Sequence, residues 1–195
     1  NVHTIVIGYD HHFGINRSGD FNTLVRLSKQ FNFAVQEIPA STIDEIAVSS
    51  TRIRKALSNR GLEEANQLIG RPYQLTGTVI HGKQLGRTIG FPTANIHLND
   101  PYKLIPSFGV YAGICLVENK RFKMVCNIGV RPTVDGENIS IEAHLFDFVK
   151  NIYGEHLTLF LVQYLRNEQK FDSIEALKSQ ILLDAQQAQI LVTLD

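Results

Sequence analysis

The spacing of hydrophobic positions divides the chain into two parts. In the first part, strand-like apolar runs alternate with segments at helical spacing, in the order 4–7, 20–31, 33–38, 52–57 and 62–69. Asp20 stands where it can cap the first helix, and Gly70 and Pro72 stop the last one. Strands and helices in alternation are typical of an α/β domain with a parallel sheet. The pattern therefore predicts an α/β domain that ends near Gly70 to Pro72.

After Pro72 the pattern becomes one of short strands separated by turns. Five segments are strand-like: 73–80, 109–117, 121–128, 139–146 and 157–164. Several short strands joined in this way predict an antiparallel barrel or sandwich. Asp172 and Glu175 have capping-box spacing, and they precede a last amphipathic helix with apolar residues at 174, 177, 181, 182 and 185. This second part is therefore predicted to be mainly β, with one helix at its C-terminal end.

The first strand-like run, Thr4 to Ile7, begins almost at residue 1, and no methionine precedes it. A strand this apolar needs neighbours on both of its sides. We therefore expect the first residue to be a cut within a larger domain, whose remaining part lies upstream.

Composition narrows the possible functions without identifying one. The chain has 195 residues, 44% of them hydrophobic and 19% charged, so a packed core is expected and disorder is not. Nineteen cationic residues balance nineteen anionic residues, which argues against a protein that coats nucleic acid. No apolar run approaches the roughly 18 residues of a membrane span, and no signal peptide is visible. We expect a cytoplasmic protein that binds neither nucleic acid nor membrane.

The two cysteines and seven histidines predict no special chemistry. Cys115 and Cys126 lie in apolar strand-like runs, which favours reduced core thiols over a disulfide or a catalytic thiol. His11 and His12 are adjacent and the other histidines are isolated, so their spacing does not indicate a zinc site.

Segment 82–95 holds the densest group of residues suited to a ligand site. It combines three glycines, two cations, a proline and two side chains with neutral oxygens: Gly82, Gly86, Gly90, Lys83, Arg87, Pro92, Thr93 and Asn95. Glycine lets backbone N–H groups approach a ligand closely, and Mg²⁺ accepts neutral oxygens together with phosphate oxygens. From composition alone, the segment is equally compatible with an ordinary loop and with a phosphate site.

A nucleotide-binding P-loop is excluded in this segment. Residues 77–83 fit its G-x-x-x-x-G-K spacing, but Gln84 stands where Ser or Thr is required. Gly90 and Pro92 are expected to prevent the helix whose N-terminus a P-loop needs. A phosphate site here must therefore work without a following helix.

Two further segments offer candidates, each with a plain structural alternative. Ser49 to Arg54 places hydroxyl and guanidinium groups at a helix start, which suits either an anion site or an ordinary cap with surface arginines. Alternation along 138–146 places Glu142 on the face opposite Ile141 and Ala143. Because strands disfavour glutamate, Glu142 either faces solvent or serves as a general base in a site.

Several motifs resemble those of one enzyme family. Residues 86–95 contain the Pro-Thr-Ala-Asn signature of riboflavin kinases, and further matches follow in the family's order at 109–112, 127–133, 141–148, 153–155 and 164–171. Upstream, segments 8–14 and 49–54 resemble the FMN adenylyltransferase half of bacterial bifunctional FAD synthetases. The resemblance covers nearly the whole chain.

This resemblance implies a fold and a reaction. Residues 1–70 would be the C-terminal portion of a Rossmann-like nucleotidyltransferase domain, and residues 71–195 a riboflavin kinase domain. The kinase domain would be a six-stranded antiparallel barrel of Greek-key type with a C-terminal helix. It would transfer the γ-phosphoryl group of ATP to the 5′-hydroxyl of riboflavin to make FMN, with Mg²⁺ as cofactor.

The resemblance also implies roles for individual residues. Glu142 would take the proton of the ribityl hydroxyl, and Thr93 and Asn95 would bind Mg²⁺ with the nucleotide phosphates. The other ligand-contacting residues would be Gly82, Lys83, Gly86, Arg87 and Gly90 in a flap over ATP, Asn127 and Arg131 in a polar loop, and Arg166 and Glu168 in a segment that covers the flavin.

One motif of the adenylyltransferase half is missing. That half carries a His-x-Gly-His motif that holds the ATP phosphates, and residues 1–70 contain none. This chain by itself is therefore expected to make FMN and not FAD, whereas a longer parent protein would make both. Two other functions stay open: a flavin carrier or sensor without catalysis, and an oligonucleotide-binding barrel. The lack of Trp and of net positive charge disfavours the second of these.

Overall fold

The computed structural model describes residues 2–40, 42–43, 46–82, 84–133 and 136–194. Of residues 42–43, 46–47, 85, 131–133 and 136–138 it describes the backbone only. The chain forms two compact units, Asn1–Ser49 and Ser50–Asp195.

The first unit has the predicted order of strand, helix and strand. Its elements are β1 (Thr4–Gly8), a 3-10 turn (Ile15–Arg17), α1 (Phe21–Phe31), β2 (Ala34–Ile38), β3 (Thr42–Ile43) and β4 (Ile46–Ala47). β1 and β2 pair in parallel. Asp20 caps α1 as predicted, because its carboxylate accepts a 2.8 Å hydrogen bond from the Thr23 backbone amide. The α/β prediction is confirmed for this unit.

The second unit is a closed antiparallel barrel with helices packed on it. Its elements are α2 (Ser50–Ser58), α3 (Leu62–Ile69), β5 (Tyr73–Ile80), α4 (Leu85–Thr88), β6 (Ala94–Leu98), β7 (Gly109–Val117), β8 (Lys120–Thr133), β9 (Gly136–Leu145), β10 (His156–Arg166) and α5 (Ile174–Leu191). The strand order is β10-β5-β6-β9-β8-β7, and β7 pairs with β10 to close the barrel. The predicted six-stranded antiparallel barrel with a C-terminal helix is confirmed.

The apolar pattern found five of these strands and missed β6. This strand begins at Ala94, directly after Pro92 and Thr93, in a segment whose glycines and prolines indicated a loop. The expectation that no helix follows Gly82 was also wrong, because α4 makes one turn of four residues. The turn ends before Gly90, which has a φ of 87° that favours glycine. One turn is too short to present the helix N-terminus of a P-loop.

Alternation along β9 separates residues of the core from residues of the outer face. On β9, Ile141, Ala143 and Leu145 are buried inside the barrel, as predicted. Glu142 and His144 lie on the outer face of the same strand and are half-buried. The cysteines are buried and free, which confirms the prediction of reduced core thiols.

Helices α2 and α3 pack on the barrel and belong to its unit. Leu57, Leu62 and Ala65 are part of the barrel's hydrophobic core. The side-chain amide of Asn66 donates a 2.9 Å hydrogen bond to the Leu161 carbonyl, and its oxygen accepts one of 2.8 Å from the Tyr73 amide. The division between compact units therefore falls at Ser49 and Ser50, and the assignment of residues 1–70 to an adenylyltransferase domain stays a prediction.

Helix α5 begins one residue later than the capping-box spacing predicted. Its N-cap is Ser173, whose hydroxyl accepts a 3.1 Å hydrogen bond from the Ala176 amide, so the predicted cap at Asp172 was wrong. Leu182 belonged to the predicted apolar face but is 46% exposed, whereas Asp184 is only 2% exposed. The face of α5 that packs on β7 and β8 therefore carries a buried carboxylate.

Candidate active site

One row of paired residues crosses five neighbouring strands of the barrel. The pairs join Asn95 of β6, Glu142 of β9, Asn127 of β8, Val110 of β7 and Arg166 of β10. Residues directly opposite one another in an antiparallel sheet project to the same face. The row therefore brings four polar side chains, from positions far apart in the sequence, to the outer face of one side of the barrel.

A cleft of about 390 Å³ opens over this row, and we call it the helix cleft. Its lining comes from the 84–93 segment, the outer faces of β7, β8 and β9, the chain after β10 and helix α5: Gln84, Gly86, Ile89, Phe91, Thr93, Val110, Val125, Asn127, Glu142, His144, Arg166, Glu168, Gln169, Phe171, Leu177, Ile181, Asp184 and Ala185. Most of the surface of this wall is apolar, although half of the residues just named have polar or charged side chains. Such a lining is typical of sites for small organic molecules.

A second cleft, of about 360 Å³, lies next to it, and we call it the loop cleft. It is lined by Val79, Arg87, Pro92, Thr93, Ala94, Ala143, Leu145, Phe148, Val149, Lys150, Asn151, Ile152 and Tyr153. Two cations, Arg87 and Lys150, stand at its wall. Thr93 lines both clefts, so the two volumes meet at this residue.

Glu142 lies at the meeting point of the two clefts. Its Oε2 accepts a 3.1 Å hydrogen bond from the Thr93 hydroxyl, and its Oε1 accepts one of 3.2 Å from the Ser140 hydroxyl. Both bonds hold the carboxylate in a defined orientation on a strand, which is a more rigid support than a loop. The geometry provides a hydrogen-bond acceptor that faces the helix cleft and touches the wall of the loop cleft.

Asn127 and Glu168 form a polar pair at the other side of the helix cleft. The Asn127 side-chain amide donates a 2.9 Å hydrogen bond to Glu168 Oε1. Glu168 crosses directly over Gly129, where a Cβ atom would stand only 1.9 Å from Oε1. Glycine at this position therefore leaves room for the Glu168 carboxylate over the sheet.

Arg166 is placed beside the helix cleft, but its guanidinium is already engaged. Its Nε lies 2.9 and 3.1 Å from the two Asp184 carboxylate oxygens, and Nη2 donates to Oδ2 at 2.7 Å. Nη1 donates to the Asn167 carbonyl at 2.9 Å, and Gln180 donates to Asp184 at 2.9 Å. The bidentate pair joins β10 to α5. Arg166 therefore shapes the cleft wall, and its Nε, Nη1 and Nη2 atoms all donate hydrogen bonds within the protein rather than to a phosphate.

Asn95 is buried, at 8% exposure, and contacts the flap segment rather than an open cleft wall. A Cβ on Gly82 would stand 2.2 Å from Asn95 Nδ2, so only glycine permits this close approach. Gly86 likewise lies against the Phe91 carbonyl, 2.2 Å from a built Cβ. Gly90 is exposed. Gly82 and Gly86 therefore lie in close contact with other parts of the protein, and their predicted approach to a ligand stays a prediction.

Two predicted site residues cannot be placed. Lys83 lies outside the described residues, and the side chain of Arg131 on β8 does too. The alternative anion site at Ser49 to Arg54 contains Arg52, whose guanidinium pairs with Glu64 at 2.7 Å.

Four residues near the site were missed as functional candidates by reasoning from the sequence: Ser140, His144, Gln180 and Asp184. The alternation that selected Glu142 places Ser140 and His144 on the same face of β9. Asp184 stands in the stripe formed by Ile181 and Ala188, where an unexpected charge on an apolar face was the available signal.

Beneath the site, ionisable groups of the barrel interior are held neutral by burial. Desolvation raises the pKa of the Tyr111 phenol to about 12 and that of the Cys115 thiol to about 12. Burial also raises the pKa of Cys126, which pairs across the sheet with Tyr111. These groups support the site sterically and contribute no charge to it near neutral pH.

Within the described part of the chain, no three or more His, Cys, Asp or Glu side chains cluster in a way that could hold a metal ion. None of the helices in that part is long and apolar enough to span a bilayer.

Comparison with known proteins agrees with this architecture. A family model described as riboflavin kinase matches residues 69–192, which is more than half of the chain. The chain belongs to the riboflavin kinase family. A second model, described as FAD synthetase, matches residues 1–52. The family motifs in segment 82–95 and around Glu142 thus fall on the two clefts that the fold creates.

Similar proteins carry a longer chain. A bifunctional riboflavin kinase/FMN adenylyltransferase from Haemophilus influenzae is 44% identical over 96% of this chain and 61% of its own length. A protein of the same description from Pseudomonas fluorescens is 39% identical over 97% of this chain and 61% of its own length. The chain therefore spans about three fifths of the length of these curated relatives. A crystal structure described as a macrolide-efflux protein from Streptococcus pneumoniae superposes with a TM-score of 0.84 at 33% identity, over 94% of this chain and 60% of that one.

Proposed function

We propose that the barrel unit is a riboflavin kinase that transfers the γ-phosphoryl group of ATP to the 5′-hydroxyl of riboflavin. The observation that carries the proposal is the position of Glu142, whose carboxylate accepts a hydrogen bond from Thr93, a residue that lines both clefts. A phosphoryl transfer needs its two substrates in line, with a proton acceptor beside the attacking hydroxyl. Two adjoining clefts with a carboxylate between them meet that need.

The two clefts differ in the way the two substrates differ. The helix cleft has an apolar and aromatic wall that includes Phe91 and Phe171, which suits a flat flavin ring. Its polar pair, Asn127 and Glu168, suits ring heteroatoms or ribityl hydroxyls. The loop cleft carries Arg87 and Lys150, which suit the phosphates of ATP. We therefore assign riboflavin to the helix cleft and ATP to the loop cleft.

The proposed step is an in-line displacement at phosphorus. The 5′-hydroxyl gives its proton to the Glu142 carboxylate while its oxygen forms a bond to the γ-phosphorus, and the bond from that phosphorus to the β–γ bridging oxygen breaks. The products are FMN, ADP and the proton left on Glu142. Because Thr93 and Ser140 each donate a hydrogen bond to this carboxylate, they orient it before the substrate arrives.

We further propose that Thr93 and Asn95 take part in binding Mg²⁺ with the ATP phosphates. The donor chemistry fits this metal: one hydroxyl and one amide oxygen on neighbouring positions of an extended segment, beside one carboxylate. Such a set is too small to bind Mg²⁺ without phosphate and water ligands, which agrees with a metal that arrives with the nucleotide. When bound, Mg²⁺ neutralises charge on the transferring phosphoryl group.

The experiment that tests this function is a product assay. The chain is incubated with riboflavin and Mg·ATP, and FMN and ADP are quantified by chromatography. The proposal expects equal amounts of FMN and ADP. A flavin carrier or sensor, the alternative from another class, binds riboflavin without forming either product, and that result overturns the proposal.

A second activity, adenylylation of FMN to FAD, is proposed for the longer protein. The match of residues 1–52 to the FAD synthetase model supports it, and so does the description of the relatives as bifunctional. We also propose that residues 1–70 belong to that second domain. Since residues 1–70 carry no His-x-Gly-His motif, this chain supplied with FMN and Mg·ATP is expected to produce no FAD. FAD formation by this chain contradicts that expectation.

A further inference from the structure

His144 makes one directional contact with the loop that carries Thr93. It lies on β9, two residues from Glu142 and on the same outer face of the strand. Its Nδ1 stands 2.8 Å from the Pro92 carbonyl oxygen. A carbonyl oxygen only accepts hydrogen bonds, so Nδ1 carries a proton and donates it. In the neutral ring this leaves Nε2 unprotonated.

The ring is also held in place by its neighbours. Phe91 and Phe146 meet it edge to face, with ring centroids at 5.4 and 5.5 Å and interplanar angles of 70° in both cases. Phe91 belongs to the same loop as Pro92, and its amide donates a 2.8 Å hydrogen bond to the Gly86 carbonyl. The imidazole is therefore packed in the one orientation that points Nδ1 at this carbonyl.

The contact lies where the backbone ladder stops. In the antiparallel pair of β6 and β9, Ala94 lies opposite Ala143 and Asn95 lies opposite Glu142. Pro92 has no N–H, so its backbone cannot donate to a ladder. Two hydrogen bonds that involve side chains therefore join the two strands beyond this point. One links His144 to the Pro92 carbonyl and the other links Thr93 to Glu142, at the place where the two clefts meet.

We propose that His144 is a positioning residue of the phosphoryl-transfer site: by holding the Pro92 carbonyl it fixes the next residue, Thr93, against Glu142. This inference rests on the proposed kinase function. His144 touches neither the reacting atoms nor the phosphates in this role. Its effect reaches the chemistry through the position of the Thr93 hydroxyl, and a displacement of about 1 Å at such a group can cost about 100-fold in rate.

The test compares two variants that differ by one methylene. His144→Asn keeps an amide N–H at nearly the position of Nδ1, counted in bonds from Cβ, whereas His144→Gln places it one bond farther away. We expect the Asn variant to keep Mg·ATP affinity, measured by titration calorimetry, within about threefold of wild type. We expect the Gln variant to lose between about five- and 100-fold in kcat/KM for Mg·ATP and to bind Mg·ATP more weakly.

Riboflavin affinity, measured by flavin fluorescence without nucleotide, supplies the control. His144 also lines the helix cleft, so both variants alter that wall, and we expect the same riboflavin Kd for Asn and Gln. Equal Mg·ATP affinities and equal kinetics for the two variants overturn the inference, because a residue that only fills space does not distinguish them.

A measurement on the unmodified protein separates this inference from the kinase proposal. Nitrogen-15 NMR of labelled histidine reports which ring nitrogen of neutral His144 carries the proton. We expect a protonated Nδ1 and an unprotonated Nε2. The opposite tautomer overturns the positioning contact even if the protein makes FMN. A protein that shows the expected tautomer but makes no FMN retains the contact and loses the proposed function.

Discussion

The helix cleft and the loop cleft have nearly the same volume, about 390 and 360 Å³, but they are built in different ways. More than half of the residues that line the helix cleft lie on strands and helices, and the Arg166–Asp184 pair ties β10 to α5 there. The walls of the loop cleft are mostly connecting segments. Its Lys150 pairs at 2.6 Å with Glu118, and both partners are substantially exposed.

This difference indicates how the site divides its tasks. A rigid, mostly apolar cleft selects a rigid ligand by shape, whereas a loop-lined cleft with exposed cations suits a flexible, charged ligand that brings its own metal. Thr93 and Glu142 stand between the two. Substitutions can therefore be chosen to damage the junction, one cleft alone, or the barrel that both clefts share.

The largest effect is expected at the junction. Glu142→Gln removes the proton acceptor but keeps the shape of the side chain, so kcat should fall by about 10²–10⁴-fold, the usual contribution of a general base. Riboflavin affinity and Mg·ATP affinity should both be nearly unchanged. Steady-state kinetics with separate binding titrations check this, and unimpaired turnover removes Glu142 from the mechanism.

The next largest effect is expected in the helix cleft alone. Asp184→Ala leaves the Arg166 guanidinium partly buried without its carboxylate, which should lower the free energy of unfolding by about 3–5 kcal/mol. Because Arg166 then no longer holds β10 to α5, riboflavin should bind more weakly while Mg·ATP affinity stays the same. Denaturant unfolding and the two binding titrations measure these quantities.

Asp172→Ala is the matched control for that variant. Asp172 is an exposed acid near the start of α5 that does not cap the helix. It should change the free energy of unfolding by less than about 0.5 kcal/mol. Equal effects of the two substitutions contradict a specific role for the Arg166–Asp184 pair.

A smaller effect is expected in the barrel interior, which supports both clefts: the free energy of unfolding should depend on pH. The ordinary pKa of a cysteine thiol, 9.0, applies in the unfolded chain, whereas burial raises that of Cys115 to about 12 in the fold. Above pH 9 the Cys115 thiol loses its proton in the unfolded chain before it does so in the folded protein. The contribution of this thiol to the free energy of unfolding is therefore constant below pH 9 and falls between pH 9 and about 12. Tyr111 and Cys126 shift in the same direction.

Cys115→Ala tests this linkage. It should be less stable than wild type near neutral pH because it leaves a small cavity. Its free energy of unfolding should nevertheless fall less steeply than that of wild type above pH 9. Between neutral pH and pH 10.5, the variant should lose about 1–2 kcal/mol less than wild type does. Unfolding curves collected from pH 7 to 11 measure both slopes, and identical slopes contradict the assigned cause.

The smallest effect is expected at Thr93, the other residue of the junction. Thr93→Val keeps the shape of the side chain and removes its hydroxyl, which should weaken Mg·ATP binding by about tenfold, the loss expected for one charge-assisted hydrogen bond or ligand. Riboflavin affinity should not change. A titration of activity against Mg²⁺ checks this, and an unchanged Mg²⁺ dependence contradicts the role of Thr93.

Features that depend on residues close together in the sequence could be predicted, whereas contacts between distant residues could not. Alternation along β9 separated Glu142 from the core, because side-chain direction in a strand depends only on neighbouring residues. The contact of Glu142 with Thr93 joins residues that are 49 positions apart in the sequence, and it depends on the pairing of β6 with β9. The residues near each strand do not indicate which strands will pair.

The Arg166–Asp184 pair, which joins β10 to α5, shows the same limit. Asp184 lies 18 residues from Arg166 and looks like an interruption of an apolar helix face until its partner is known. The sequence predicts that the glycines of the flap approach a ligand closely. Gly82 and Gly86 also allow close contacts with Asn95 and Phe91, and only the packing reveals these contacts.

The central claim is that transfer takes place where the clefts meet, through the contact between Thr93 and Glu142. A double-mutant cycle of Thr93→Val and Glu142→Gln, read as kcat/KM for Mg·ATP at saturating riboflavin, measures the coupling between these residues. We predict that the double variant loses less than the product of the two single losses, by about fivefold or more. Losses that simply multiply would show that the two residues act independently and would contradict the account.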